Sequence, residues 1–339
     1  MTAASVKATL QTLAAGESLG ETEMSRVLDA MSSGEATPAQ MGAFLMALRV
    51  RGETVAEITG AARLMRERMI AVSVPEGTVD IVGTGGDGHN TYNVSTCAAF
   101  VAAGAGLKIA KHGNRSVSSL SGASDVLSAL GVRIDVPVEV VARAVREAGV
   151  GFLWAPMHHP AFKAWAPVRA DLGVRTMFNL LGPICNPGRV KRQIVGVFAE
   201  RWVEPVAEVL RNLGTEWAWV VHGRDGLDEL STTGPTLVAE LASGQVRTFE
   251  VDPRDVGIRP ATLADLKGGD ARANAKALRA VLAGAPSAYR DIVLLNTGAA
   301  LLVGGVASDL ADGVVRAAAS IDSGAAAAAL DHLIAITKG

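Results

Sequence analysis

The segment that decides the fold is Asp80-Ile-Val-Gly-Thr-Gly-Gly-Asp-Gly-His-Asn-Thr-Tyr-Asn-Val-Ser-Thr-Cys97. A short apolar strand is predicted to lead into closely spaced glycines, after which an Asn/Ser/Thr cluster opens an apolar helix. Glycine permits positive φ and lets backbone N–H groups approach a ligand closely. The N-terminus of a helix presents further unpaired N–H donors. A strand, a glycine loop and a helix in this order indicate an anion site, most often for phosphate.

The charge distribution around this segment supports the same interpretation. No Asp or Glu occurs in residues 89–123, whereas that interval contains Lys108, Lys111 and Arg115. Burial of the apolar helix would explain the lack of acidic residues there. It would not explain their absence from the polar stretch 111–119, which is predicted to be turn-like. The local positive potential therefore favours a polyphosphate ligand.

The glycine loop also matches the dinucleotide fingerprint G-x-G-x-x-G over residues 83–88. That fingerprint requires the helix to begin at the loop and an acidic residue roughly 20 positions later to hold the ribose. Here polar residues 89–93 intervene, the acidic residue is missing, and Asp87 would repel a pyrophosphate unless a divalent metal lay between them. We interpret the match as accidental. The sequence has no P-loop motif.

Length and composition restrict the class of protein. A chain of 339 residues can form a large core and two domains, and its low aromatic content of 4% suits an α/β protein. The net charge of −2 shows no overall footprint for nucleic acid or membrane, so neither is expected as a partner. The two isolated cysteines, the lack of a signal-peptide pattern and the short apolar runs predict a cytoplasmic location.

The order of predicted elements indicates two domains. Residues 1–72 predict helices only, whereas strands alternate with helices from residue 79 onward. We therefore expect a small all-helical N-terminal domain, 1–72, joined by a segment near 165–185. A large α/β domain, 73–339, would have a mostly parallel central sheet with flanking helices. Strands are predicted at 79–82, 107–110, 150–154, 193–197, 217–222, 236–241 and 245–251, and helices of the larger domain at 95–105, 123–130, 137–148 and 202–213.

Two further clusters contain candidate functional residues. The pair Asp228-Glu229 follows a predicted strand, where paired carboxylates are a usual way to hold Mg²⁺. For the pair alone a solvated turn is the default interpretation, and the phosphate site elsewhere makes the metal hypothesis its equal. Arg169 or Arg175 could bind a carboxylate through the guanidinium fork. The adjacent His158 and His159 invite a zinc hypothesis, but sequence neighbours rarely point together and no third ligand is suitably spaced. Structural or substrate-lining roles are favoured for the two histidines.

Taken together, six motifs resemble the anthranilate phosphoribosyltransferase family. They are Gly83-Thr-Gly-Gly-Asp87, Asn93-Val-Ser-Thr96, Lys111-His-Gly-Asn-Arg115, Arg169, Phe178-Asn-Leu-Leu-Gly-Pro183 and Asp228-Glu229. The resemblance implies a Mg²⁺-dependent pentosyltransferase that moves the phosphoribosyl group of phosphoribosyl pyrophosphate to the amine of anthranilate. The products would be N-(5-phosphoribosyl)anthranilate and pyrophosphate, in the second step of tryptophan synthesis from chorismate. A homodimer through the helical domain is also implied.

The resemblance assigns three kinds of binding residue. Mg²⁺, as two ions, would be held by Ser95, Asp228 and Glu229. Anthranilate would be bound by Gly83, Asn114 and Arg169, with His112 and His159 along its path. Phosphoribosyl pyrophosphate would be bound by Gly83, Gly86, Asp87, Thr91, Asn93, Val94, Ser95, Thr96, Lys111, His112, Gly113, Asn114, Arg115, Ser116, Val117, Ser118, Ser119 and Ala123. No residue would act as a general acid or base, and Lys111, Asn114 and Arg169 would position the substrate and the leaving group.

Two alternatives and one departure accompany this resemblance. Pyrimidine nucleoside phosphorylases also carry a glycine loop and a Lys-His-Gly segment, but Asn114-Arg115 and the motif at 178–183 argue against them. A non-catalytic relative that binds nucleic acid would have a basic surface and could lose the metal carboxylates, and this chain shows neither feature. Leu120 stands where members of the family often have lysine. Since the core motifs are intact, we expect little loss of activity.

Overall fold

The computed structural model describes residues 3–115 and 120–339. Its strands are β1 Val79–Gly83, β2 Ile109–Gly113, β3 Val150–Trp154, β4 Arg192–Gly196, β5 Trp217–Gly223, β6 Thr236–Ala242 and β7 Gln245–Val251. They form one sheet in the order β3-β2-β1-β4-β5-β6-β7. The pairs among β1 to β5 are parallel, and β6 and β7 add to the sheet in antiparallel fashion. The predicted mostly parallel sheet is confirmed.

Helices cover both faces of this sheet. They are α1 Ala3–Ala14, α2 Glu21–Ala30, α3 Pro38–Arg51, α4 Val55–Arg68, α5 Val94–Gly104, α6 Ala123–Ala129, α7 Val138–Glu147, α8 Ala155–His158, α9 Trp165–Leu172, α10 Phe178–Ile184, α11 Val203–Asn212, α12 Ala271–Leu282, α13 Ala288–Val303, α14 Leu310–Asp322 and α15 Ala325–Lys338. One core lies between the sheet and helices α5 and α12 to α15. A second core joins the opposite face to α11 and to the N-terminal helices. In the two described ranges, no helix is both long and apolar enough to cross a membrane.

Helices α3 and α4 begin at threonine caps. The hydroxyls of Thr37 and Thr54 accept from the N–H groups of Gln40 and Glu57, at 3.2 Å each. The side chains of Gln40 and Glu57 accept in return from the threonine N–H groups, at 2.9 Å each. These are capping boxes, which satisfy N–H groups that a helix start leaves unpaired. Glu57 also accepts from the N–H of Leu19 at 2.9 Å, so the cap of α4 anchors the start of α2.

The segment that contains α9 and α10 packs against the N-terminal helices. The rings of Phe44 and Trp165 lie 6.2 Å apart, and the Trp165 indole N–H donates to the Ser32 hydroxyl at 2.9 Å. Arg66 of α4 donates to the carbonyl of Ile184 at 2.7 Å. These contacts join the segment near 165–185 to the helical part of the chain. The position of the domain boundary itself stays a prediction.

The sequence-based prediction is wrong for one strand. Strand β2 runs to Gly113 rather than ending at residue 110, so Lys111 and His112 belong to a strand and not to a turn-like loop. Both side chains are buried, at 3% exposure each, and β2 keeps its register with β3 from Ile109 to Gly113. A run of polar residues predicts a turn, but here the hydrogen-bond partners of Lys111 and His112 come from distant parts of the chain, at Ile81 and Gly182. The other predicted elements listed above agree with the structure to within one residue at each end.

Candidate active site

Asp228 lies directly against the ends of β1 and β4. A Cβ atom at Gly83 would overlap the Asp228 carboxylate, and one at Gly196 would overlap its carbonyl oxygen. The N–H of Gly85 donates to the same carboxylate at 2.6 Å. The loop that follows β5 and the glycine loop that follows β1 are therefore in contact. Glycine is required at both strand ends because any side chain would displace Asp228.

Glu229 contacts the start of α5. The N–H of Ser95 donates to the Glu229 carboxylate at 3.2 Å. The Lys111 ammonium donates to the Ser95 hydroxyl at 3.1 Å and to the carbonyl of Ile81 at 2.6 Å. The structure thus brings together the proposed metal ligands Ser95, Asp228 and Glu229 with Gly83 and Lys111.

The loop that holds Asp228 and Glu229 is fixed by residues that the sequence analysis did not identify. Asn296 of α13 accepts from the N–H of Leu230 at 3.0 Å and donates to the carbonyl of Leu230 at 2.9 Å. Asp225 accepts from the N–H of Leu227 at 3.1 Å and from the Ser231 hydroxyl at 2.6 Å. An Asp-Gly pair is a turn signal that could have indicated Asp225. For Asn296 the available signal was an asparagine within the otherwise apolar run of helix α13.

The turn before α5 is held by the C-terminal helices. Asn93 accepts at its side chain from Asn274 at 2.8 Å, and its carbonyl accepts from the Tyr289 hydroxyl at 3.0 Å. The Asn93 side chain also donates to the carbonyl of Ser121 at 3.2 Å. Thr91 forms an isolated bridge with Lys267. These contacts connect the predicted phosphate-binding turn to α12, α13 and the segment before α6. In that turn, Val94 and Thr96 are buried.

The carboxylates near α5 are arranged to receive a cation. Burial raises the pKa of Asp228, and the nearby charge of Asp87 raises it further. Burial and the charge of Asp228 likewise raise the pKa of Glu229, while Lys111 lowers it. Burial lowers the pKa of Lys111, against the opposing effect of the acidic groups. A divalent cation would favour the charged form of both carboxylates, so the residues present fit a Mg²⁺ site.

The protein supplies only part of the ligand set for such a cation. Within residues 3–115 and 120–339, no group of three or more His, Cys, Asp or Glu side chains is arranged to hold a metal ion. Mg²⁺ is commonly bound through one or two carboxylates together with substrate phosphates and several waters. The pair Asp228-Glu229 therefore matches a metal bound jointly by protein and substrate.

His112 and His159 form a buried pair. Their ring centroids lie 5.3 Å apart, and Nδ1 of His112 is 2.9 Å from the carbonyl oxygen of Gly182. Burial lowers the pKa of His112 well below its ordinary value and lowers that of His159 to about 4. In the described part of the chain, Nε2 of His112 and both ring nitrogens of His159 lack a hydrogen-bond partner. By contrast, Nδ1 of His158 is 2.9 Å from the carbonyl oxygen of Ile70, so His158 has a structural partner.

The two candidate arginines have different surroundings. The Arg169 guanidinium lies 5.1 Å from the centroid of the Phe178 ring. Among the residues that the structure describes, no carboxylate is within ion-pair distance of Arg169. Arg175 donates to the carbonyl of Gly86 at 2.6 Å and lies 4.7 Å from the centroid of the Phe198 ring. Arg169 is thus the arginine available to bind a substrate carboxylate, whereas Arg175 contacts the glycine loop.

The remaining predicted residues lie around the end of β2 and the start of α6. The carbonyl of Asn114 accepts from the N–H of Ser124 at 3.5 Å, and the Arg115 guanidinium is 4.0 Å from the Asp125 carboxylate. Ala123 is the first residue of α6. Over the described ranges, no hydrogen bond or ring contact joins Asn114 to Arg169. The predicted residues Ser116, Val117, Ser118 and Ser119 lie outside the described residues.

Family models and curated relatives both match the chain. The helical bundle domain of a glycosyl transferase family matches residues 7–69, and the a/b domain of a glycosyl transferase family matches residues 75–327. The anthranilate phosphoribosyltransferase of Rhodopseudomonas palustris strain BisB18 is 59% identical over 98% of each chain. That of Bradyrhizobium diazoefficiens is 59% identical over 98% of this chain and 99% of the relative.

The chain belongs to the anthranilate phosphoribosyltransferase family. Solved structures agree with this assignment: the anthranilate phosphoribosyltransferase of Thermus thermophilus has a TM-score of 0.92 at 42% identity, covering 97% of this chain and 99% of that one. The Saccharomyces cerevisiae enzyme in complex with PRPP and Mg has a TM-score of 0.91 at 30% identity, covering 99% of this chain and 98% of that one. The family resemblance and the fold class are confirmed, whereas the function of each site residue stays a prediction.

We predict that removing the charges of Asp228, which is buried, and of Glu229, which is partly buried, stabilises the metal-free protein at high pH. A carboxyl whose folded pKa lies above its unfolded pKa of about 4 destabilises the folded state as the pH rises through that interval. The variant Asp228→Asn/Glu229→Gln should therefore melt about 2 °C or more above the parent near pH 8, and the difference should shrink toward pH 5. Differential scanning fluorimetry in chelator-treated buffer measures both temperatures.

The matched control is Asp135→Asn, which removes an exposed carboxylate. Its melting temperature should follow that of the parent at both pH values. Mg²⁺ added together with phosphoribosyl pyrophosphate should raise the melting temperature of the parent more than that of the double variant. An equal or lower melting temperature for the double variant near pH 8 would contradict the electrostatic interpretation.

Proposed function

We propose that this chain transfers the phosphoribosyl group of phosphoribosyl pyrophosphate to the amine of anthranilate in a Mg²⁺-dependent reaction. The observation that carries this proposal is the contact of Asp228 and Glu229 with the glycine loop and the start of α5. Oxygen ligands for a divalent cation therefore lie beside the glycine loop and the N-terminus of α5, two elements of the kind that bind phosphate. The two bacterial relatives named above are anthranilate phosphoribosyltransferases by name, and they match nearly the whole chain.

The site residues would act mainly on the leaving group. As the amine attacks the anomeric carbon, negative charge grows on the departing pyrophosphate. The glycine-loop N–H groups and the Lys111 ammonium would stabilise this charge from fixed positions. A bound divalent cation would supply further neutralisation of the pyrophosphate. Two ions are proposed because Asp228 and Glu229 have separate surroundings, one beside Gly85 and the other beside Ser95.

Anthranilate would be bound on the side of α9 and α10. Arg169 would hold the anthranilate carboxylate through its guanidinium, and Asn114 and Gly83 would contact the substrate near the ribose. The neutral rings of His112 and His159 would line the path, where their unpartnered nitrogens offer hydrogen bonds. Because the attacking arylamine is already neutral, a strong general base is not required. Positioning and stabilisation of the leaving group would account for the catalysis.

The assembly and location of the protein are further parts of the proposal. A homodimer through the helical domain is supported by exposed apolar residues there, since Val50 at the end of α3 is 80% exposed. Sedimentation as a monomer at micromolar concentration would overturn it.

A cytoplasmic location is supported by Cys97 and Cys185, which are both free and buried. A domain division at residues 72 and 73 is supported by the interval between α4 and β1.

Anthranilate fluorescence tests the proposed reaction directly. We expect the fluorescence of anthranilate to fall when phosphoribosyl pyrophosphate and Mg²⁺ are both added to the purified protein. Omission of any one component should prevent the loss, and so should the variant Asp228→Asn/Glu229→Gln. Asp135→Asn is the control and should retain the parent rate. Absence of a fluorescence change with folded protein would reject the reaction, and release of free base from pyrimidine nucleosides on addition of phosphate would then support the phosphorylase alternative.

Arg169 and Arg175 should affect different substrates. We predict that Arg169→Ala raises the KM for anthranilate about tenfold or more, because a charged bidentate contact is lost. Its KM for phosphoribosyl pyrophosphate should stay within about twofold of the parent value. Arg175→Ala should show the reverse pattern, since Arg175 contacts the glycine loop. Steady-state kinetics with each substrate varied measure both constants, and an unchanged KM for anthranilate in Arg169→Ala would reject this assignment.

A further inference from the structure

Strands β1 and β2 are neighbours in the sheet, but they separate almost at once. Their backbone pairing has a single register pair, Val79 with Ile109. On its other edge β1 pairs with β4 along its whole length, and β2 pairs with β3 from Ile109 to Gly113. The separation therefore opens toward the carboxyl ends of β1 and β2. Those are the ends that carry the glycine loop and the Lys111 segment.

The separation leaves backbone groups without a partner strand. If the register of Val79 with Ile109 continued, parallel pairing would join Ile81 to Ala110 and His112, and three of the groups it would use have other partners in this structure. These groups are the carbonyls of Ile81 and Ala110 and the N–H of His112. Each of them is buried, so each needs a partner from another part of the protein.

Side chains supply these partners. The Asp80 carboxylate accepts from the His112 N–H at 3.1 Å, and the Asn186 side chain donates to the Ala110 carbonyl at 2.7 Å. The Lys111 ammonium donates to the Ile81 carbonyl at 2.6 Å. The Asn186 amide also donates to the second oxygen of Asp80 at 2.7 Å. Backbone pairing between β1 and β2 is thus replaced by side-chain hydrogen bonds, among which Asp80 and Asn186 are also bonded to each other.

The side chains that replace the backbone pairing lie on both faces of the sheet. Successive side chains of a strand point to opposite faces, so Lys111 leaves β2 on the face opposite to Ala110 and His112. Asp80 and Asn186 are buried at 0% and 1% exposure. The side-chain oxygen of Asn186 accepts in turn from the N–H of Gly188 at 2.7 Å. A buried carboxylate is weak evidence for stabilisation, because apolar residues often serve as well. Its presence here is better explained by the geometry that it imposes on β1 and β2.

We propose that Asp80 and Asn186 are positioning residues that hold the carboxyl ends of β1 and β2 apart and so fix the glycine loop relative to Lys111 for phosphoribosyl pyrophosphate. The identity of this ligand rests on the proposed function. Closure of the gap would bring the two strands into backbone pairing and move Lys111 away from the Ser95 hydroxyl. The expected consequence is a loss of affinity for phosphoribosyl pyrophosphate with little effect on anthranilate.

The variant Asp80→Asn tests this proposal with almost no change in volume. One of its side-chain atoms becomes an N–H donor that must face either the His112 N–H or the Asn186 amide donor. We expect the Kd for phosphoribosyl pyrophosphate with Mg²⁺, measured by calorimetry, to rise about tenfold. The KM for anthranilate should stay within about twofold of the parent value. The exchange variant Asp80→Asn/Asn186→Asp restores a donor and an acceptor between these positions and should recover part of the affinity.

The matched control is Glu240→Gln in β6. Glu240 is also a buried carboxylate, and it accepts from the Trp219 indole at 3.0 Å away from the site. Its replacement should leave the Kd for phosphoribosyl pyrophosphate within about twofold of the parent value. If Asp80→Asn does not fold, Asn186→Ala replaces it as the test, because this variant keeps the Asp80 charge. It should likewise raise the Kd for phosphoribosyl pyrophosphate and leave the KM for anthranilate within about twofold of the parent value.

The results separate this inference from the proposed function. A folded Asp80→Asn variant with the parent Kd would overturn the inference, and so would a similar loss for both substrates, which indicates general loosening. If the parent protein binds phosphoribosyl pyrophosphate but does not transfer the phosphoribosyl group to anthranilate, the proposed function is rejected. The comparison of Kd values between the parent and Asp80→Asn would still decide the inference. A parent that does not bind phosphoribosyl pyrophosphate would overturn both.

Discussion

The contact of Asp228 with the ends of β1 and β4 is the constraint on which the rest of the site depends. It requires glycine at residues 83 and 196, because a Cβ atom at either position would occupy the space of Asp228. Once the loop lies there, Glu229 reaches the start of α5 and Lys111 reaches Ser95. The strand order reverses beside β1, which is where open α/β sheets bind their ligands.

The electrostatics of the site follow from that contact. The buried Asp228 carboxylate, the partly buried Glu229 carboxylate and the buried Lys111 ammonium lie together, and each is less stable in its charged form than in water. A divalent cation with a polyphosphate would complete this arrangement, since positive and negative charges would then alternate. The histidine pair contributes no charge at neutral pH because burial lowers both pKa values. In the proposed reaction the site would therefore act through charge stabilisation and positioning, and a neutral arylamine would not need a proton-transfer residue.

Much of the fold was readable from the sequence because its signals are local. Glycines after an apolar strand and periodic apolar residues depend on near neighbours, so they gave the parallel sheet and the helix that follows the loop. The extent of β2 could not be read, since Lys111 is satisfied by the distant Ile81 and Ser95. Whether Asp228 belongs to a solvated turn or a buried site depends on strands far away in the chain. Residue chemistry alone could not rank Arg169 and Arg175, although the family resemblance selects Arg169, because only tertiary contacts show that Arg175 is engaged.

The most direct measurement of the central claim is a crystal structure with phosphoribosyl pyrophosphate and Mn²⁺, which replaces Mg²⁺ and scatters anomalously. The site described here predicts an anomalous peak within about 2.2 Å of a carboxylate oxygen of Asp228 or Glu229. The diphosphate should lie against the glycine loop and complete the coordination of the metal. Density for the diphosphate away from residues 83–88, or a metal peak that contacts neither carboxylate, would contradict the assignment of this site.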